Sequence, residues 1–219
     1  MASEMERLLT EQRTASRAKA APERLAIMDH SLHDLEASGI VDSSLQVGMK
    51  ATDFSLPSAA GEHVRLSSIL SEGPAVLAFY RGQWCPYCSI ELRVLQSRLD
   101  EFQQEHATLV GISPQTPDNS LSTSERMDLA FPVLSDAGNT VAEQFGIVFT
   151  LPEDLRGAYS TMGIDLPGAN GDSSYRLPIP ATFVIAQDFT VVWRFVEPNY
   201  TKRADPDEVL AAVRTLRAR

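Results

Sequence analysis

Phe79-Tyr80-Arg81-Gly82-Gln83-Trp84-Cys85-Pro86-Tyr87-Cys88 joins the apolar run 74–80 to a segment in which Leu92, Leu95, Leu99 and Phe102 share one helical face. An unbroken apolar run of that length reads as a strand buried on both faces. The leucine spacing predicts one long helix. Downstream, Leu109-Val110-Gly111-Ile112-Ser113 reads as the next buried strand, and Thr116-Pro117 opens another helix with Thr116 as cap and Pro117 in first position. Strand, helix, strand, helix in succession predicts a parallel arrangement with helices on its faces. Residues 182–185 and 190–195, separated by Gln187-Asp188, predict a hairpin, and 206–219 a closing helix. The fold class is therefore α/β, a central mixed sheet flanked by helices.

The position of the cysteines carries the chemistry. In the first turn of a helix, unpaired backbone N–H groups and the positive end of the helix dipole favour a thiolate, the reactive form of the side chain. Two intervening residues let one sulfur reach the other, so an oxidised sulfur on either can be resolved by its neighbour. Pro86 has no N–H to leave unsatisfied at a helix start, and Trp84 can shield a sulfur. Arg81, four residues before Cys85, is read either as a stabiliser of a thiolate or a peroxide oxygen or as a solvated surface arginine. Cys-x-x-Cys is also half of a zinc site, but nothing places His30, His33, His63 or His106 beside Cys85, and no metal is expected.

Outward from this core, the N-terminal residues 1–46 read as a helical extension and 47–219 as the redox domain. Pro22 suits a first helical position, and Leu25, Met28, Leu32 and Leu35 recur at helical spacing until Gly39. The extension is expected to pack on the main domain or on a second subunit of a homodimer. After Gly48, Asp53-Phe54-Ser55-Leu56-Pro57 and His63-Val64-Arg65-Leu66 read as short strands about a turn at Gly61. The polar, Gly- and Pro-rich stretch 152–178 reads as a surface insertion, a candidate lid.

With 29 acidic against 19 basic residues, the net charge of -10 argues against partners that present phosphate, either nucleic acid or an anionic membrane surface. The first twenty residues hold Glu4, Glu6, Arg7, Glu11, Arg13 and Arg17, no pattern for a signal peptide, so a cytoplasmic location is expected. No Gly-rich phosphate fingerprint precedes a helix, which leaves flavin and nicotinamide without support.

From about Val47 onward, roughly four-fifths of the chain, the sequence resembles the alkyl hydroperoxide reductase/thiol-specific antioxidant group, the peroxiredoxin-like branch of the thioredoxin superfamily. Asp53–Pro57, Phe131-Pro132-Val133-Leu134-Ser135-Asp136 and Val141-Ala142-Glu143-Gln144-Phe145-Gly146 are similar to that family's motifs. The resemblance implies a thioredoxin-like fold. It also implies a Pro-x-x-x-Thr-x-x-Cys frame, which here puts Cys88 in the attacking position, Cys85 at the threonine and Arg81 at the proline. The family's activating arginine, just before the last buried strand, has no counterpart in Pro178-Ile179-Pro180-Ala181-Thr182-Phe183. That stretch instead resembles the cis-proline loop of thioredoxins, which implies a substrate-binding role for Ile179 and Pro180 and a cis bond between them. Cys-Pro-Tyr-Cys resembles the glutaredoxin filling, with Pro86 and Tyr87 lining the substrate side.

Two functions follow as expectations. The first is reduction of hydroperoxides through a reversible Cys85–Cys88 disulfide, with no bound cofactor and an external thioredoxin- or glutathione-type thiol as reductant. The second is exchange of protein or glutathione disulfides. In the thioredoxin manner Cys85 would be an exposed nucleophile; the peroxiredoxin frame assigns attack to Cys88.

Overall fold

The computed structural model describes residues 2–217. Two helices, α1 (Glu4–Lys19) and α2 (Pro22–Ala37), lead into the short α3 (Ile40–Ser43). Ser3 caps α1, Pro22 takes the first position of α2, and Gly39 ends that run with φ +76. Met5 and Leu9 of α1 are buried; α2 buries only Ser31 fully, so its apolar stripe stays half-open.

A hairpin of β1 (Ser55–Pro57) and β2 (His63–Arg65) follows, then α4 (Leu66–Glu72). Leu66, expected in the second strand, instead starts α4 and is fully buried beneath it. Next come β3 (Ala75–Phe79), α5 (Pro86–Ser97), α6 (Leu99–Gln104) and β4 (Thr108–Ser113). The single long helix expected after the cysteines is two, broken at Arg98, whose side chain pairs with Glu101 and Asp207. Leu92, Leu95, Leu99 and Phe102 still reach one core because the break keeps their common face inward.

The chain continues through α7 (Pro117–Met127), β5 (Val133–Ser135), α8 (Thr140–Gln144), β6 (Val148–Thr150), α9 (Glu153–Thr161), α10 (Leu166–Asn170), β7 (Arg176–Pro178), β8 (Ala181–Ile185), β9 (Val191–Val196) and α11 (Pro206–Arg217). Thr116 caps α7 by accepting from Asn119 N. The closing helix is found over the described part of 206–219; residues 218 and 219 lie outside the described residues.

Five strands form the central sheet in the order β5-β4-β3-β8-β9. β3, β4 and β5 run parallel, while β8 and β9 are antiparallel to their neighbours, giving the mixed sheet. β3 is buried on both faces: Ala75, Leu77 and Phe79 join one core with α4 and α8, whereas Val76, Ala78 and Tyr80 join another with α1, α5 and α11. Side-chain alternation along one strand thus feeds two hydrophobic layers. The stretch 152–178 is not a bare surface loop. With Leu151 just before it, the stretch builds a small core from Leu155, Tyr159, Leu166 and Leu177, closed by the β6–β7 pair.

Candidate active site

The cysteines are positioned by a sharp exit from β3. Gly82 has φ +147, and a Cβ there would sit 2.5 Å from the Trp84 indole nitrogen, so this bend requires glycine. Gln83 N is tied to Gln115 Oε1 at 2.9 Å, and Cys85 N donates back to Gly82 O at 3.1 Å. Cys85 is then the N-cap residue of α5, Pro86 its first residue and Cys88 its third. Both cysteines therefore lie in the first turn of α5, whose N–H groups lack intrahelical acceptors, although the Cys85 side chain makes no capping hydrogen bond. Both cysteines are free thiols with 0% exposure, so Cys85 is not the exposed nucleophile that the thioredoxin comparison predicted. Helix α1 packs along α5 and seals it.

Each sulfur has its own arginine. Arg81, only 5% exposed, donates from Nη2 to Cys85 Sγ at 3.4 Å and from Nη1 to Tyr159 Oη at 2.7 Å. Its guanidinium lies 5.0 Å from the Trp84 ring centre and 4.7 Å from that of Tyr200. Among the described residues it has no carboxylate partner. Arg203 donates from Nη2 to Cys88 Sγ at 3.0 Å, but its Nε is 2.5 Å from Glu91 Oε2 in a fully enclosed ion pair.

The ionisation of the pair combines burial, the contact between the two sulfurs and the charges of both arginines. Burial opposes a Cys85 thiolate, yet the hydrogen bond from Cys88 and the charges of Arg81 and Arg203 together hold Cys85 well below the usual thiol range. Burial, the hydrogen bond to Cys85 and the Cys85 charge push Cys88 well above it, against the pull of Arg203. Burial pushes Glu91 up to about 7, although Arg203 pulls the other way.

Of the residues expected from sequence, Arg81, Trp84, Cys85, Pro86, Tyr87 and Cys88 come together, and Arg81 proves buried rather than solvated. Ile179 and Pro180 share a small cleft of about 20 Å³ with Arg81, Tyr159 and Tyr200. The expected cis bond is absent: every peptide bond among the described residues is trans. The chain runs extended from β7 into β8, with Ile179 N held by Ile147 O at 2.8 Å and Pro180 O accepting from Glu197 N at 3.2 Å, so no tight turn offsets the trans preference.

Sequence reasoning missed Glu91, Tyr159, Tyr200 and Arg203. Arg203 comes from the loop between β9 and α11 and donates to Cys88, not to Cys85. Glu91 carried a readable signal, since it lies three positions after Cys88 on the same helical face.

A cavity of about 340 Å³ lies over this site. Arg81, Trp84, Pro86, Tyr87, Tyr159 and Tyr200 form its floor, and α1 and α2 form its roof.

A dithiol placed where the first central strand of such a sheet meets a helix assigns the chain to the thioredoxin superfamily, as a thiol oxidoreductase. Residues 47–194 match the AhpC/TSA family. The chain is 31% identical over 175 residues to a putative peroxiredoxin of Mycobacterium tuberculosis, covering 80% of this chain and 99% of that one. It is 35% identical over 104 residues to peroxiredoxin Bcp of Escherichia coli, covering 47% of this chain and 65% of that one. The crystal structure of peroxidoxin BcpB from Mycobacterium tuberculosis superposes with a TM-score of 0.62 at 29% identity, over 78% of this chain and 98% of that chain. The reduced 2-Cys peroxiredoxin of Plasmodium vivax shares the fold at a TM-score of 0.61 and 17% identity, over 80% and 83% of the two chains. The chain belongs to the AhpC/TSA family and is a peroxiredoxin-like, thiol-dependent peroxidase.

Proposed function

We propose that the chain reduces hydroperoxides with Cys85 as the attacking thiolate and Cys88 as the resolving thiol. The observation that carries this assignment is Arg81. A guanidinium keeps its charge, and a buried charge is costly unless an anion lies beside it. Arg203 has Glu91 for that purpose; Arg81 has only the Cys85 sulfur.

The Cys85 thiolate attacks the distal oxygen of the peroxide, and the O–O bond breaks. Cys85 becomes a sulfenic acid, and the departing oxygen takes a proton to leave as an alcohol, or as water from hydrogen peroxide. Arg81 sits where it can donate to that oxygen as negative charge develops on it. The Cys88 thiol then attacks the sulfenic sulfur, the S–O bond breaks, water leaves and the Cys85–Cys88 disulfide forms. An external thiol of the thioredoxin or glutathione type supplies the electrons and protons that restore both thiols.

Complete burial of both sulfurs favours this reading over exchange with protein disulfides. A small peroxide can enter beneath α1 and α2, whereas a protein disulfide must touch the attacking sulfur directly. Stopped-flow mixing of the reduced protein with hydrogen peroxide tests the activity. Oxidation orders of magnitude faster than that of free cysteine, ending in one intramolecular disulfide, is the expected result. A rate equal to that of free cysteine contradicts it.

A further inference from the structure

Above the cysteines, the roof and walls of the cavity have a composition unlike the rest of the molecule. Arg13, Arg17, Lys19 and Arg24 line it from α1, α2 and the turn between them, and Arg81 lines it from below. Asp29 is the one acid among its lining residues, and Arg17 already holds that carboxylate through two hydrogen bonds of 2.8 and 2.9 Å. Arg13 lies 3.9 Å from Glu6, while Lys19 and Arg24 have no acidic partner among the described residues. Arg24 Nε and Arg81 Nε are both shut off from solvent without a hydrogen-bond acceptor. In a chain of net charge -10, a cationic chamber of this kind is complementary to an anion.

Between the cations the wall is apolar. Leu25, Met28 and Leu32 of α2 face Met162, Ile164 and the Trp84 ring. None of the three α2 side chains is fully buried, so the stripe that would ordinarily pack into a core is left lining space. A volume of about 340 Å³ falls at the small end of the range that holds organic ligands.

We infer that α1 and α2 form the binding site for the organic part of the substrate, an amphipathic hydroperoxide that carries a carboxylate. Its hydrocarbon lies against the α2 stripe, its carboxylate meets Lys19 and Arg24 where α1 turns into α2, and its peroxide reaches Arg81. The inference rests on the peroxidase reading for its chemical step, but the binding it describes can be measured without turnover.

Two measurements test it. Dodecanoate, below its micellar concentration, binds the reduced protein and changes the emission of Trp84, and dodecanol binds about tenfold more weakly. Met28→Trp, which fills the cavity without touching a charge, weakens dodecanoate binding. In turnover, kcat/KM for a long-chain hydroperoxide bearing a carboxylate is compared with that for an uncharged alkyl hydroperoxide of equal length. That ratio falls about tenfold in the double variant Lys19→Glu, Arg24→Glu, through KM. Charge-dependent dodecanoate binding without peroxide reduction supports the site and sinks the peroxidase reading. Equal binding of dodecanoate and dodecanol, an unchanged ratio in the variant, or displacement of dodecanoate by reduced glutathione overturns the inference.

Discussion

The two halves of the dithiol site are built from the same parts and set in opposite surroundings. On one side, Cys85 meets Arg81, which is wrapped by Trp84, Tyr159 and Tyr200 and opens on the cavity. On the other, Cys88 meets Arg203, which is enclosed and already shared with Glu91. A cation without a carboxylate directs its full field at the sulfur beside it; a cation in an ion pair directs only part. The difference teaches that spacing alone cannot decide which cysteine of such a pair ionises. The contact between the two sulfurs and the arginine charges around them set it.

The largest expected effect comes from removing the unshared cation. Arg81→Met raises the apparent pKa of the Cys85 thiol and slows oxidation by hydrogen peroxide at pH 7 about 100-fold. Thiolate absorbance at 240 nm and stopped-flow kinetics read the two quantities. A change within a factor of three would place the thiolate elsewhere.

An intermediate effect comes from releasing the shared cation. Glu91→Gln gives Arg203 to Cys88 alone, so the second thiol titrates at lower pH and the contrast between the sulfurs narrows. The same variant has a stability signature. Glu91 titrates near 7 in the folded chain, raised from 4.5, so between those values the native state binds more protons than the unfolded chain. Stability then falls as pH rises through that window, and Glu91→Gln removes that part of the slope. Chemical denaturation at pH 5 and pH 7, compared between the two proteins, measures it; parallel slopes would deny that Glu91 is raised.

The smallest effect belongs to the support of Arg81. Tyr159→Phe removes the acceptor 2.7 Å from Nη1 and slows the peroxide reaction about fivefold, with the final disulfide unchanged. An equal slowing for Tyr200→Phe, whose ring face and not its hydroxyl meets Arg81, would show that the hydrogen bond is not the operative contact.

The framework and the Cys85 half of the site were largely legible in the sequence, because strand, bend, cysteines and helix are contiguous from Ala75 to Ser97 and their signals are local. The Cys88 half was not. Arg203 lies 115 residues from Cys88 and 112 from Glu91, in a polar loop with no periodic signal, and only the closing of the sheet brings it beneath α5. Tyr159 is 78 residues from Arg81, inside a stretch whose glycines and prolines read as surface loop until its small core is seen. The α2 stripe read correctly as one helical face, but periodicity cannot say whether that face meets another side chain or a cavity.

Separate Cys85→Ser and Cys88→Ser proteins, each treated with hydrogen peroxide at pH 7 and trapped with a sulfenate-specific probe, test the central claim most directly. Cys88→Ser, which retains the sulfur beside Arg81, is predicted to form the sulfenate rapidly, while Cys85→Ser stays a thiol on the same timescale. Rapid sulfenate formation in Cys85→Ser and none in Cys88→Ser would contradict the account and move the attacking sulfur to the Arg203 side.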